Sequence, residues 1–137
     1  GRNKRIFLDL KLHDIPNTVA RAVGRARDLE IDLLTLHATG GRRMMEAAAE
    51  AAGDDLTLLG VTVLTSMAES DLEDSWGRAV DSIEEEVLRL ARLAKESGVG
   101  GDGGAVELQT SPSVKLESGV AVGAFTHWGP PERLRYP

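Results

Sequence analysis

The chain has 137 residues, 42% of them hydrophobic, enough for one domain that buries roughly two-thirds of its unfolded surface. Its net charge of -6 and pI of about 5.1 repel phosphate backbones, which sets nucleic acid aside as a partner. The lack of cysteine excludes disulfides and thiolate metal sites and fits a reducing cytoplasm, and no apolar run approaches the roughly 20 residues of a membrane-spanning helix.

Residues 1–5 are polar and basic, and the apolar run behind them is broken by Asp9 and Lys11, so the start does not read as a signal peptide. The abrupt opening on a strand-like segment predicts further sequence upstream. Residues 6–10 read as a short buried strand. Pro16 suits a first helical turn, and Val19, Val23, Ala26 and Leu29 recur at helical spacing. Residues 31–37 form a second apolar run of strand length. Gly40 and Gly41 then open a helix with Met44, Ala47, Ala48 and Ala51 on one side. Residues 56–64 are a third apolar run, rich in Leu, Val and Thr. After a polar stretch containing Gly77 comes the strongest helical pattern. Ile83, Val87, Leu90, Ala91 and Ala94 form its apolar stripe, and Glu84, Glu85 and Glu86 lie near its start, where the helix dipole favours them.

The order is β-α-β-α-β-α, with strands apolar on both faces, as in parallel sheets covered by helices. Three adjacent parallel strands are expected, centred near residues 6–10, 32–37 and 57–63. A doubly wound sheet and a (β/α)8 barrel both satisfy this order, and periodicity does not separate them. From residue 98 the character changes. The last 40 residues hold eight of the 15 glycines and four of the five prolines, and a candidate strand at 120–125 is weakened by Gly123. The expected organisation is a folded unit over 1–97 and an irregular tail over 98–137.

The segment that carries chemistry is Asp9-Leu10-Lys11-Leu12-His13-Asp14-Ile15-Pro16-Asn17-Thr18. Residues two apart in a strand share a face, so Asp9 and Lys11 are expected to point the same way at the strand's C-terminal end, where parallel α/β folds build their sites. A charged pair inside an apolar strand is costly unless matched; a structural ion pair capping the sheet is the competing reading. Asp14 lies three residues past Lys11. Two carboxylates flanking an amine favour its charged form, and a fixed ammonium can stabilise a carbanion and then protonate it. The pattern suits carbon-acid chemistry such as decarboxylation.

The same segment resembles the signature loop of the orotidine 5'-phosphate decarboxylases. Two further stretches agree in order and spacing: His37-Ala38-Thr39-Gly40-Gly41 followed by Met44-Met45, and Val61-Thr62-Val63-Leu64-Thr65-Ser66-Met67. The similarity covers about residues 6–98. A bare Asp-x-Lys-x-x-Asp is shared with sugar-phosphate decarboxylases and synthases of a wider superfamily, whereas the Ile-Pro-Asn-Thr and Leu-Thr-Ser-Met continuations are more specific. The resemblance implies part of a (β/α)8 barrel that converts orotidine 5'-phosphate to uridine 5'-phosphate without metal or organic cofactor. It implies Lys11 as proton donor to C6 of the pyrimidine, with Asp9 beside the substrate carboxylate. It also implies a homodimer in which Asp14 and Thr18, with Ile15 between them, reach the partner's site, while Thr65 and Ser66 meet the pyrimidine.

Other residues have plainer expectations. His13 reads as a loop or interface residue and His37 as structural at the barrel mouth. With His127 in the tail, the three histidines make no metal site. Gly40-Gly41 could cradle phosphate, but packing is the stronger reading. Met44 and Met45 read as packing residues, Arg42 and Arg43 as surface charges, and Glu84 to Glu86 as a solvated helix start.

The chain also departs from the family pattern. A full barrel has eight βα units and about 250 residues; this chain shows about three, resembling units two to four. The first strand with its substrate-binding Asp is absent, and so is the upstream Lys of the family's charged network; Lys4 is not at that position. After Gly98, Val99-Gly100-Gly101-Asp102-Gly103-Gly104 stands where the family continues Gly-Val-Asp-Gly-Val-Val, and the later phosphate-binding Arg and Gly-rich loops are not recognisable. A shifted reading frame in the gene would account for such a tail. The chain is therefore expected to be an incomplete, weakly active or inactive decarboxylase. The alternatives are a magnesium-using sugar-phosphate enzyme of the same superfamily and a non-catalytic fragment.

Overall fold

Apolar runs alternate with helical stripes, and the computed structural model, which describes residues 5–63 and 67–100, turns them into alternating strands and helices. Strands β1 (Phe7–Leu12), β2 (Leu33–His37) and β3 (Thr57–Val61) form one sheet in the order β1-β2-β3. Both pairings are parallel, as expected. The strand starts are locked together by Asp32. Its carboxylate accepts the Ile6 amide at 2.7 Å, its amide donates to the Ile6 carbonyl at 3.1 Å, and its carbonyl accepts the Thr57 amide at 3.0 Å.

β2 is central, and residues 33–36 are wholly buried. β1 is different from the expected buried strand over residues 6–10. It runs two residues further, has a neighbour on one side only among the described residues, and leaves Asp9 and Leu10 exposed, Leu10 at 53%.

Helix α1 (Pro16–Asp28) starts on Pro16, whose missing N–H costs nothing in a first turn, and ends on Arg25 and Arg27, which suit the negative end of the dipole. It buries Val19, Val23 and Ala26, whereas Leu29 falls past the helix end and is 71% exposed. Helix α2 (Arg42–Ala52) follows Gly41, whose φ of 99° favours glycine. Its buried face is Met44, Met45, Ala48 and Ala52; Ala47 and Ala51 are only half-buried, so the stripe is rotated from the expected one. Gly40 has the packing role expected of it, because a Cβ there would run into the Met44 side chain.

Helix α3 (Glu69–Trp76) occupies the stretch that read only as polar. Asp71 accepts the Ala68 amide at 2.8 Å and so satisfies a free N–H at the helix start. Gly77, left-handed at φ 68°, stops the helix. With Leu72 its one buried residue, α3 has no apolar stripe to read. Helix α4 (Ile83–Glu96) begins on Ser82, whose hydroxyl accepts the Glu85 amide at 3.1 Å. Val87, Leu90, Ala91 and Ala94 are buried as expected.

Glu86 is also buried, which corrects the solvated start expected for the three glutamates. Its carboxylate accepts paired bonds from Arg78 at 3.0 and 3.1 Å and from Arg89 at 2.9 and 3.1 Å. Two guanidinium partners offset the cost of removing one carboxylate from water. Arg42 is a surface charge as expected, paired with Glu96 at 2.9 Å. The candidate strand at 120–125 and the rest of the tail from residue 101 lie outside the described residues.

Candidate active site

The pairing of β1 with β2 breaks at the segment that carries the charges. Leu8 faces Leu34 and Leu12 faces Leu36, so Asp9, Leu10 and Lys11 stand against Thr35 alone. Such a bulge re-aims side chains and is favoured next to functional sites. Lys11 sits at φ 47°, a left-handed backbone that costs a non-glycine residue about 1–2 kcal/mol. Asp9 and Lys11 meet as expected, with Lys11 Nζ donating to Asp9 Oδ2 at 2.7 Å. The bulge brings them together, rather than the alternation of a flat strand.

Thr35 completes the arrangement from the buried middle of β2. Its hydroxyl donates to Asp9 Oδ1 at 2.7 Å and accepts the Lys11 backbone N–H at 2.9 Å. Thr35 belongs to no motif. Its one sequence signal is a hydroxyl inside a leucine run, where a buried polar group needs a partner.

Burial pushes the Asp9 carboxyl up, but the hydrogen bonds from Lys11 and Thr35 and the nearby charges of Lys11 and His37 outweigh it and hold the group below its ordinary value of 3.8. Asp9 is thus an anion at neutral pH. The side chains of Lys11 and Asp9 remain 32% and 46% exposed, so a ligand can reach them. An ion pair this exposed contributes under about 1 kcal/mol, less than the strain at Lys11. The ion pair alone does not offset that strain, and a left-handed backbone at a non-glycine residue is a feature that clusters at functional positions.

His37 ends β2 against the His13 ring, with centroids 5.5 Å apart and planes tilted by 49°. Burial, then the charges of His13 and Lys11, hold His37 below its ordinary 6.5 against the opposing pull of Asp9. The two histidines, assigned separate bland roles by spacing, are neighbours of the charged pair.

Asp14 stands apart. Its carboxylate accepts the following Ile15 amide at 2.7 Å, and among the described residues Lys11 pairs with Asp9 and not with Asp14. The amine expected between two carboxylates is therefore met by one, because Asp14 is held by its own turn. Asp14, Ile15 and Thr18 are all exposed, Ile15 at 66%. Thr65 and Ser66 lie outside the described residues. Among the described residues no group of three or more His, Cys, Asp or Glu is placed to hold a metal ion.

An ammonium fixed by a carboxylate at the end of a parallel strand can deliver a proton to carbon. The model of the orotidine 5'-phosphate decarboxylase / HUMPS family matches residues 1–120. The chain belongs to this family. It is 53% identical over 96 residues to the orotidine 5'-phosphate decarboxylase of Sphingopyxis alaskensis, covering 70% of this chain and 42% of that protein. It is 48% identical over 118 residues to the enzyme of Neisseria meningitidis, covering 84% and 46%. The crystal structure of orotidine 5'-phosphate decarboxylase from Lactobacillus acidophilus superposes with a TM-score of 0.68 at 38% identity, covering 79% of this chain and 48% of that one. The chain thus spans about half the length of the relatives it matches. Membership of the family decides between the two architectures left open by periodicity: the three parallel βα units are part of a (β/α)8 barrel.

Proposed function

We propose that the chain carries the decarboxylating residues of an orotidine 5'-phosphate decarboxylase, which forms uridine 5'-phosphate for pyrimidine synthesis in the cytoplasm. The observation that carries this reading is the 2.7 Å pair of Lys11 Nζ and Asp9 Oδ2 on a left-handed bulge. The bond from C6 to the carboxylate breaks, its electron pair stays on C6, and carbon dioxide leaves. Lys11 gives a proton to C6 and regains one from solvent. Asp9 keeps the ammonium charged and aimed and stands beside the departing carboxylate. Exposed Asp14, Ile15 and Thr18 are suited to reach the neighbouring site of a homodimer, and Thr65 and Ser66 to meet the pyrimidine.

One general acid supplies roughly 10²- to 10⁴-fold, whereas the most demanding enzymes lower a barrier by up to about 23 kcal/mol. Much of the remainder comes from binding energy remote from the reacting carbon, the phosphate included. The 137-residue polypeptide by itself is therefore weakly active. The test follows loss of orotidine 5'-phosphate absorbance with purified protein and its Lys11→Ala variant. Slow turnover above the protein-free rate, lost in Lys11→Ala, supports the reading. Equal turnover by both proteins refutes the role of Lys11.

A further inference from the structure

Resting on the reading of Lys11 as the acid, we infer that Thr35 is a positioning residue of this site, its one hydroxyl setting both the backbone of Lys11 and the carboxylate that aims the lysine's ammonium. A hydroxyl has one proton and two lone pairs. Its direction here is forced. The Lys11 N–H can only donate, at 2.9 Å, and the ionised Asp9 can only accept, at 2.7 Å. The other Asp9 oxygen takes Lys11 Nζ at 2.7 Å. The bonds close a ring from the lysine's amide through Thr35 and Asp9 to its ammonium, so both ends of Lys11 are referred to one buried atom.

The location suits that role. The register of β1 is broken between Leu8 and Leu12, whereas β2 keeps unbroken register with β3 from Leu33 to His37. Thr35 is fully buried on this firmer strand, and its branched Cβ restricts the side chain's rotation. Leu34 and Leu36 on either side pack in the core with the helices, so alternation turns Thr35 to the opposite face, where Asp9 is. Thr35 makes no ion pair and need not touch substrate. It acts by removing freedom from the pair that does, and a displacement of about 1 Å in such a group costs on the order of 10²-fold in rate.

The test compares the chain with Thr35→Val, which keeps the shape and deletes the hydroxyl, and with Thr35→Ser, which restores it. Amide hydrogen exchange at Lys11, the NMR titration of the Asp9 carboxyl and turnover of orotidine 5'-phosphate are read for each. In Thr35→Val, Lys11 protection is expected to fall about tenfold, as for one lost hydrogen bond. Asp9 is expected to titrate closer to 3.8, and kcat to fall roughly 10- to 100-fold with KM little changed. Thr35→Ser is expected to recover most of each. A purely structural threonine would alter melting and leave the Asp9 titration in place.

Unchanged Lys11 protection and Asp9 titration in Thr35→Val overturn the inference. Should that variant not fold, the unmodified chain decides, since a slowly exchanging Thr35 hydroxyl proton is expected and its absence overturns the inference. The NMR readings do not depend on catalysis. Lost protection in a chain whose unmodified form does not turn over leaves the positioning intact and removes only the proposed turnover by this polypeptide. Turnover by the unmodified chain, matched by Thr35→Val, leaves the decarboxylase reading and removes the positioning.

Discussion

Replacing Lys11 by glycine and, separately, by alanine separates what this residue does for chemistry from what its backbone costs the fold. Lys11 lies at φ 47°, where a residue with a Cβ carries about 1–2 kcal/mol of strain. Glycine removes that strain but adds about 0.5–1 kcal/mol of chain entropy lost on folding. Both variants lose the pair with Asp9, worth under about 1 kcal/mol at this exposure, so that loss cancels between them. Lys11→Gly should therefore be more stable than Lys11→Ala by about 0.75 kcal/mol at the midpoints of these ranges, or about 2–4 °C in Tm for a domain of this size. Urea and thermal unfolding followed by circular dichroism measure the difference, and neither variant should decarboxylate. If Lys11→Ala proves as stable as Lys11→Gly, the left-handed bulge and the reasoning built on it are wrong.

Lys11→Arg keeps a positive charge but offers a planar group that does not release its proton at neutral pH; its turnover should be nearly as low as that of Lys11→Ala in the absorbance assay. Glu86→Gln removes a buried acceptor shared by Arg78 and Arg89 and should cost about 1–3 kcal/mol in urea unfolding, whereas exposed Glu84→Gln should stay within about 0.5 kcal/mol. Stability should fall with acid in two stages. His37 is held below 6.5, so the unfolded state takes up a proton first and stability starts to decline as pH drops past 6.5. Asp9 and Glu86 are held below 3.8 and 4.5, so the stability they add is full above those values and is lost as pH falls through their folded ones. Urea midpoints between neutral pH and pH 3 check both stages, and His37→Gln should flatten the first.

The strands and their parallel order were legible because leucine-rich runs of strand length alternate with helical stripes such as Val19-Val23-Ala26 and Val87-Leu90-Ala91-Ala94. The pairing of Asp9 with Lys11 was legible too, though for an incomplete reason, since spacing assumes a flat strand and a bulge appears only when β1 is set against β2. Thr35 is part of the site through a contact between residues 24 to 26 positions apart in the chain, which no local pattern encodes. The neighbourhood of His13 and His37 is hidden in the same way. Helix α3 is held by a cap, a glycine stop and one buried leucine rather than by periodicity. Glu86 reads as a surface acid until Arg78 and Arg89 fold onto it. Asp14 is the opposite case: it is near Lys11 in sequence, but its own turn claims its carboxylate.

The transfer of a proton from Lys11 to C6 is tested most directly by running the reaction in heavy water and examining the uridine 5'-phosphate formed. Product carrying a single deuterium at C6 is expected from the chain and not from Lys11→Ala. Deuterated product appearing at the same rate with Lys11→Ala would contradict that transfer.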